Sequence, residues 1–144
     1  MKQLLAIFTL LLTTALLALK PAKLRTKEKI QHIFDKQIAA WNTGDLNAFM
    51  NGYWEDERLL FVGSRGPTYG YINTLKGYQK GYPNREAMGT LKFEIIEMRQ
   101  WDRKTIQVIG KFTLIRTNDT PTGHFTLLLR KIKRKWMIVS DHSS

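Results

Sequence analysis

The C-terminal run Trp136-Met-Ile-Val-Ser-Asp-His-Ser-Ser144 limits the possible folds more than any other stretch of the chain. It is apolar on both strand faces and then turns abruptly polar, leaving Asp141 and His142 at its end. Gly123-His-Phe-Thr-Leu-Leu-Leu-Arg-Lys131 reads as the other arm of a hairpin, with residues 132–135 as its basic turn. Two further alternating stretches, 91–100 and 105–116, precede it, with turn signals at Asp102-Arg103 and across 118–123. Ile106, Val108, Phe112 and Leu114 supply one buried face, and Phe125, Leu127 and Leu129 another.

The first half has the helical period instead. Ile30, Ile33, Phe34, Ile38 and Trp41 recur on one helix face, and Gly44 stands where the chain must turn left-handed to leave it. Asp45 caps a short second helix carrying Leu46, Phe49, Met50 and Tyr53. Residues 59–62 form a short strand closed by a 63–67 loop, and residues 71–82 form a helix that Pro83 halts. Helices followed by strands make an α+β chain, with helices packed on one side of an antiparallel sheet. A strongly curved sheet around those helices is a cone with a cavity between its layers.

Length and composition fit one such domain. With 144 residues, 43% of them hydrophobic, the chain buries a core without staples. It has no cysteine, which excludes disulfides, thiolate metal sites and a cysteine nucleophile. Residues 1–22 are set apart from the 23–144 domain. Lys2 and an apolar run from Leu4 to Leu19 have the plan of a secretory signal peptide, which points to export to the periplasm or the extracellular space. Small-residue cleavage sites are poor, and cations follow the run, so an uncleaved membrane anchor is the alternative. Removing this segment lowers the net charge from +11 to +9. No nucleic-acid-binding motif accompanies these charges, so nucleic acid is not an expected partner, and an anionic membrane surface is the more available one.

The stretches Ala40-Trp-Asn-Thr-Gly-Asp-Leu-Asn-Ala-Phe-Met50, Tyr53-Trp-Glu55 and Leu60-Phe-Val-Gly63, together with Tyr82-Pro-Asn-Arg-Glu-Ala-Met-Gly89 and the terminal Asp-His-Ser-Ser, form a joint pattern. Over residues 27–144 it resembles the SnoaL-like family of the nuclear transport factor 2-like superfamily. The resemblance implies a cone-shaped α+β barrel, often a homodimer through its sheet. It does not select a reaction, since the superfamily holds enzymes, small-molecule binders and non-catalytic association domains.

Neighbours on a regular strand point to opposite faces, so Asp141 and His142 cannot both enter one cavity. An even loop between the last two strands pairs Leu129 with Ile138 and turns Ser140 and His142 inward; an odd one turns Asp141 inward. The even register makes His142 the candidate proton-exchanging, catalytic group. Gln37, Trp41, Tyr53, Trp54, Phe61 and Tyr69 join Ser140 and His142 as the expected wall of a ligand pocket, because buried Tyr and Trp tips need polar partners. No spacing of His and acidic residues brings metal ligands together, and no cofactor motif is present.

Two functions fit these features. One is an exported small-molecule-binding domain, with or without acid–base chemistry at His142. The other is a non-catalytic association module using the outer sheet face, where Ile96, Met98, Ile109, Leu128, Met137 and Val139 are expected.

Overall fold

The computed structural model describes residues 22–144. The expected signal or anchor thus lies outside the described residues, apart from Ala22. Helix α1 (Ala22–Thr43) buries Ile30, Phe34, Gln37 and Trp41 along the face set by its period. Gly44, at φ 84°, ends it, a conformation with a steric cost for any residue bearing a Cβ. The Asp45 side chain then accepts a 2.8 Å hydrogen bond from the Ala48 amide and starts α2 (Leu46–Met50). After β1 (Leu60–Gly63), the segment expected as a loop reverses into β2 (Gly66–Tyr69). Helix α3 (Tyr71–Gly81) follows, and Asn84 caps a one-turn α4 (Arg85–Met88) through the Ala87 amide. Four long strands complete the chain: β3 (Thr90–Asp102), β4 (Thr105–Ile115), β5 (Thr122–Ile132) and β6 (Lys135–Ser143).

The six strands form one open sheet in the order β2-β1-β6-β5-β4-β3. The sheet is mixed rather than wholly antiparallel, because β1 runs parallel to β6. The chain joins β6 before β1 begins. Ile138 donates to the Gly52 carbonyl and accepts from the Trp54 amide, both at 2.9 Å, so the strand direction is set at Tyr53. Three register shifts interrupt the long strands, at Ile96 and Trp101 in β3 and at Val139 in β6. The first moves Met98 opposite Val108 and packs it against the core, so Met98 leaves the outer-face set expected for it.

The concave face of the sheet wraps α1 and α2. Ile30, Phe34, Phe49 and Met50 from the helices meet Leu91, Val108, Phe125, Leu127 and Leu129 from the strands. Asn42 fastens the layers at one edge, donating to the Leu91 carbonyl at 3.2 Å and accepting from its amide at 2.7 Å. Gly110 lets the Phe125 ring lie across β4, since a Cβ there would overlap that ring. This is the expected α+β cone.

Candidate functional site

Between the helices and the concave sheet lies a cavity of about 460 Å³. That is room for a one- or two-ring molecule, within the usual range for ligand sites. Its floor is buried and mostly apolar: Trp41, Phe49, Leu91, Leu114, Phe125 and Leu127. Its rim is exposed, built from Ser64 and Arg65 in the β1–β2 turn, Gly77 and Gly81 of α3, and Ser144. On α3 the lining residues Thr74, Gly77, Tyr78 and Gly81 share one helix face.

The polar pole of the cavity is Asp141, which is only 2% exposed. Tyr53 donates its hydroxyl to Asp141 Oδ2 at 2.6 Å, and Ser143 donates to Oδ1 at 2.6 Å. The Tyr78 hydroxyl stands 3.1 Å from that of Tyr53. When Asp141 is ionised, Tyr53 spends its single proton on the carboxylate, which leaves Tyr78 as the donor to Tyr53. The result is a chain of hydroxyls ending on one buried carboxyl. Burial pushes the Asp141 carboxyl above its ordinary range, against the opposing pull of Ser143, Tyr53 and the nearby His142. Burial and then the Asp141 charge hold both Tyr53 and Tyr78 well above the ordinary phenol value, so both stay protonated donors.

Of the residues expected to line a pocket, the structure brings Gln37, Trp41, Tyr53 and Phe61 to the cavity and leaves four elsewhere. Gln37 spends an amide hydrogen on the Phe49 carbonyl, and Trp41 spends its indole N–H on the Met88 carbonyl at 3.1 Å. Trp41 therefore offers a ligand its ring, braced edge-on by Phe49 and Tyr82. Trp54 packs under the Arg58 guanidinium, 4.5 Å from its ring centre, outside the cavity. Tyr69 is 62% exposed on β2. Ser140 and His142 point away from the cavity.

The inward placement of Ser140 and His142 is corrected by the Val139 bulge. Leu129 does pair with Ile138, as the even loop requires, but the next pair is Leu128 with Ser140. Val139 has no partner on β5, so the alternation slips by one residue and Asp141 turns inward opposite Leu127. His142 lies exposed between Thr126 and Val62 on the outer face. The bulge follows ordinary residues and leaves no sequence signal. Tyr78, Tyr82 and Arg116 also belong to the site without having been anticipated. The available signals were the α3 period, which puts Tyr78 on the face of Thr74, and the need of a buried Tyr53 phenol for an acceptor.

No protein-family model and no curated protein matches the chain. Among solved structures, an NTF-2-like protein of unknown function from Shewanella oneidensis MR-1 is 42% identical, with a TM-score of 0.79 over 83% of this chain and 98% of that one. A putative calcium/calmodulin-dependent protein kinase type II association domain from Thiobacillus denitrificans is 17% identical, with a TM-score of 0.68 over 79% of this chain and 92% of that one. A ketosteroid isomerase-like protein from Erwinia carotovora atroseptica is 18% identical, with a TM-score of 0.61 over 81% of this chain and 93% of that one. The last two share the fold; the identity and coverage of the first go further, and on them the chain belongs to the nuclear transport factor 2-like family.

Proposed function

We propose that this protein binds a small molecule in the cone, with Asp141 as the group that recognises its polar end and exchanges a proton with it. The observation that carries this reading is the buried Asp141 carboxyl, hydrogen-bonded to Tyr53 and aimed into a largely apolar cavity. A carboxyl whose affinity for its proton is raised serves as an acceptor for a ligand hydroxyl when ionised and as a donor to a ligand carbonyl when protonated. The name of the ketosteroid isomerase-like neighbour fits proton exchange next to a carbonyl group. A complete acid–base pair needs a second titrating group near neutrality, however, and the lining residues supply one carboxyl and phenols held protonated. Ligand binding is therefore the reading, with proton exchange as the chemistry available to it.

Gly77 and Gly81 support it. Each costs an α-helix about 1 kcal/mol relative to alanine. Yet a Cβ at either position would meet nothing within 4 Å, so packing does not demand glycine there. Room at the rim for an entering molecule accounts for both. A screen of ring-containing hydroxy and keto compounds by ligand-induced shift in melting temperature tests the proposal. Binders should raise the melting temperature of the wild type and of His142→Ala, and lose most of that effect in Asp141→Asn. Loss of response in His142→Ala alone would put the chemistry on the outer face and refute the reading.

A further inference from the structure

We infer that the cavity ligand is an anion, a ring-bearing carboxylate whose charge is held by Arg116 with Arg65 at the rim and whose far end carries a hydroxyl for Asp141. The inference rests on the cavity being a ligand site and adds the ligand's charge and polarity. Arg116 follows the last residue of β4 and lines the cavity between Leu114 and Tyr82. Its guanidinium carbon stands 6.0 Å from the centre of the Tyr82 ring. Among the described residues, Arg116 Nε is the buried side-chain polar atom left without a hydrogen-bond partner. The Asp119 carboxylate, exposed itself, stands 3.5 Å from Nη1 of this partly exposed side chain.

A buried N–H on a cation without an acceptor is costly, and the cost is removed by an anionic oxygen. Guanidinium presents Nε and a terminal nitrogen side by side, the spacing of the two oxygens of a carboxylate. Asp141 is the one carboxylate side chain among the lining residues, it is occupied by Tyr53 and Ser143, and burial disfavours its charge. Arg65, exposed in the β1–β2 turn, adds a second cation to the lining. The walls between the poles are aromatic, with Tyr78 and Tyr82 stacked at 6.2 Å and Trp41 edge-on to Tyr82 at 4.7 Å. These rings pack against one another and present an aromatic wall on which a flat ring can lie. Cation, aromatic wall and carboxyl acceptor together select a hydroxylated aromatic or alicyclic acid over a neutral ring compound.

The test is calorimetric titration of the full chain with matched pairs: para-hydroxyphenylacetate against para-hydroxyphenylacetamide, and a hydroxynaphthoate against its amide. The acid of at least one pair should bind more tightly than its amide by about tenfold or more. Arg116→Gln should reduce that ratio to near one, and Arg65→Gln should reduce it by a smaller factor. Melting curves establish that the variants are folded; should Arg116→Gln fail to fold, Arg116→Lys and the wild-type ratio decide. Equal binding of acid and amide by the wild type would overturn the anion while leaving the cavity as a ligand site. An undiminished ratio in folded Arg116→Gln would overturn the assignment to Arg116. Absence of binding by every compound would overturn this inference together with the ligand-binding reading beneath it.

Discussion

Val139 occupies a place in β6 that no residue of β5 answers, and the identity of the cavity's chemical group depends on it. Had the strand stayed regular, the polar end of the cavity would hold Ser140 and the His142 imidazole. The bulge substitutes a buried carboxyl, and its surroundings decide what that carboxyl does. Two 2.6 Å hydrogen bonds favour the ionised form, while removal from water favours the neutral one and prevails. Single residues elsewhere act by what they lack. Gly110 has no Cβ where the Phe125 ring crosses the sheet, and Gly77 has none where the cavity opens.

Helix α3 contributes both an aromatic wall and part of the rim, and its glycines set those two tasks against helix stability. Gly77→Ala should raise thermal stability by about 0.5–1 kcal/mol, since the new methyl meets open space and helix propensity improves. Gly77→Leu should keep the fold and weaken binding of any ring-bearing ligand, measured by titration beside the melting curve. Unchanged affinity in the leucine variant would show that ligands do not pass this rim. Legibility in the sequence followed period in the long elements and composition in the short ones. α1, α3 and the four long strands each span enough residues to display a period, and Gln37 and Trp41 came with α1; the short α2 and β1 are legible from their dense apolar residues, and Tyr53 and Phe61 came with them. β2 has four residues like β1 but begins Gly66-Pro67, a turn signal, so it reads as loop. Ser140 and His142 were misplaced because a bulge is decided by how two strands pack, which the residues of one strand do not record. Trp54 and Tyr69 were grouped with the pocket by residue type, while the fold turns them outward.

At the scale of the whole molecule, the convex face of the sheet is the remaining surface with a distinct character. Leu60, Ile109, Leu128, Met137 and Val139 are half-buried there rather than covered. A second copy related by a two-fold axis would cover such a face. We therefore expect a dimer through this face, compatible with a ligand in the cone on the other side. Leu128→Lys should shift the molecular mass measured by light scattering from dimer to monomer, and a folded dimer in that variant would place the contact elsewhere. The central claim concerns the inside of the cone, where a carboxyl is kept from water beside two phenols. Titration of the Asp141 carboxyl carbon by NMR tests it most directly. A group whose folded-state pKa is raised stabilises the fold below its unfolded value of about 3.9 and loses that contribution as pH rises through the folded value. The account predicts an Asp141 midpoint above the ordinary aspartate value, with the wild type losing stability relative to Asp141→Asn as pH passes through it. A midpoint at or below the ordinary value, with His142 rather than Asp141 responding to cavity ligands, would contradict it.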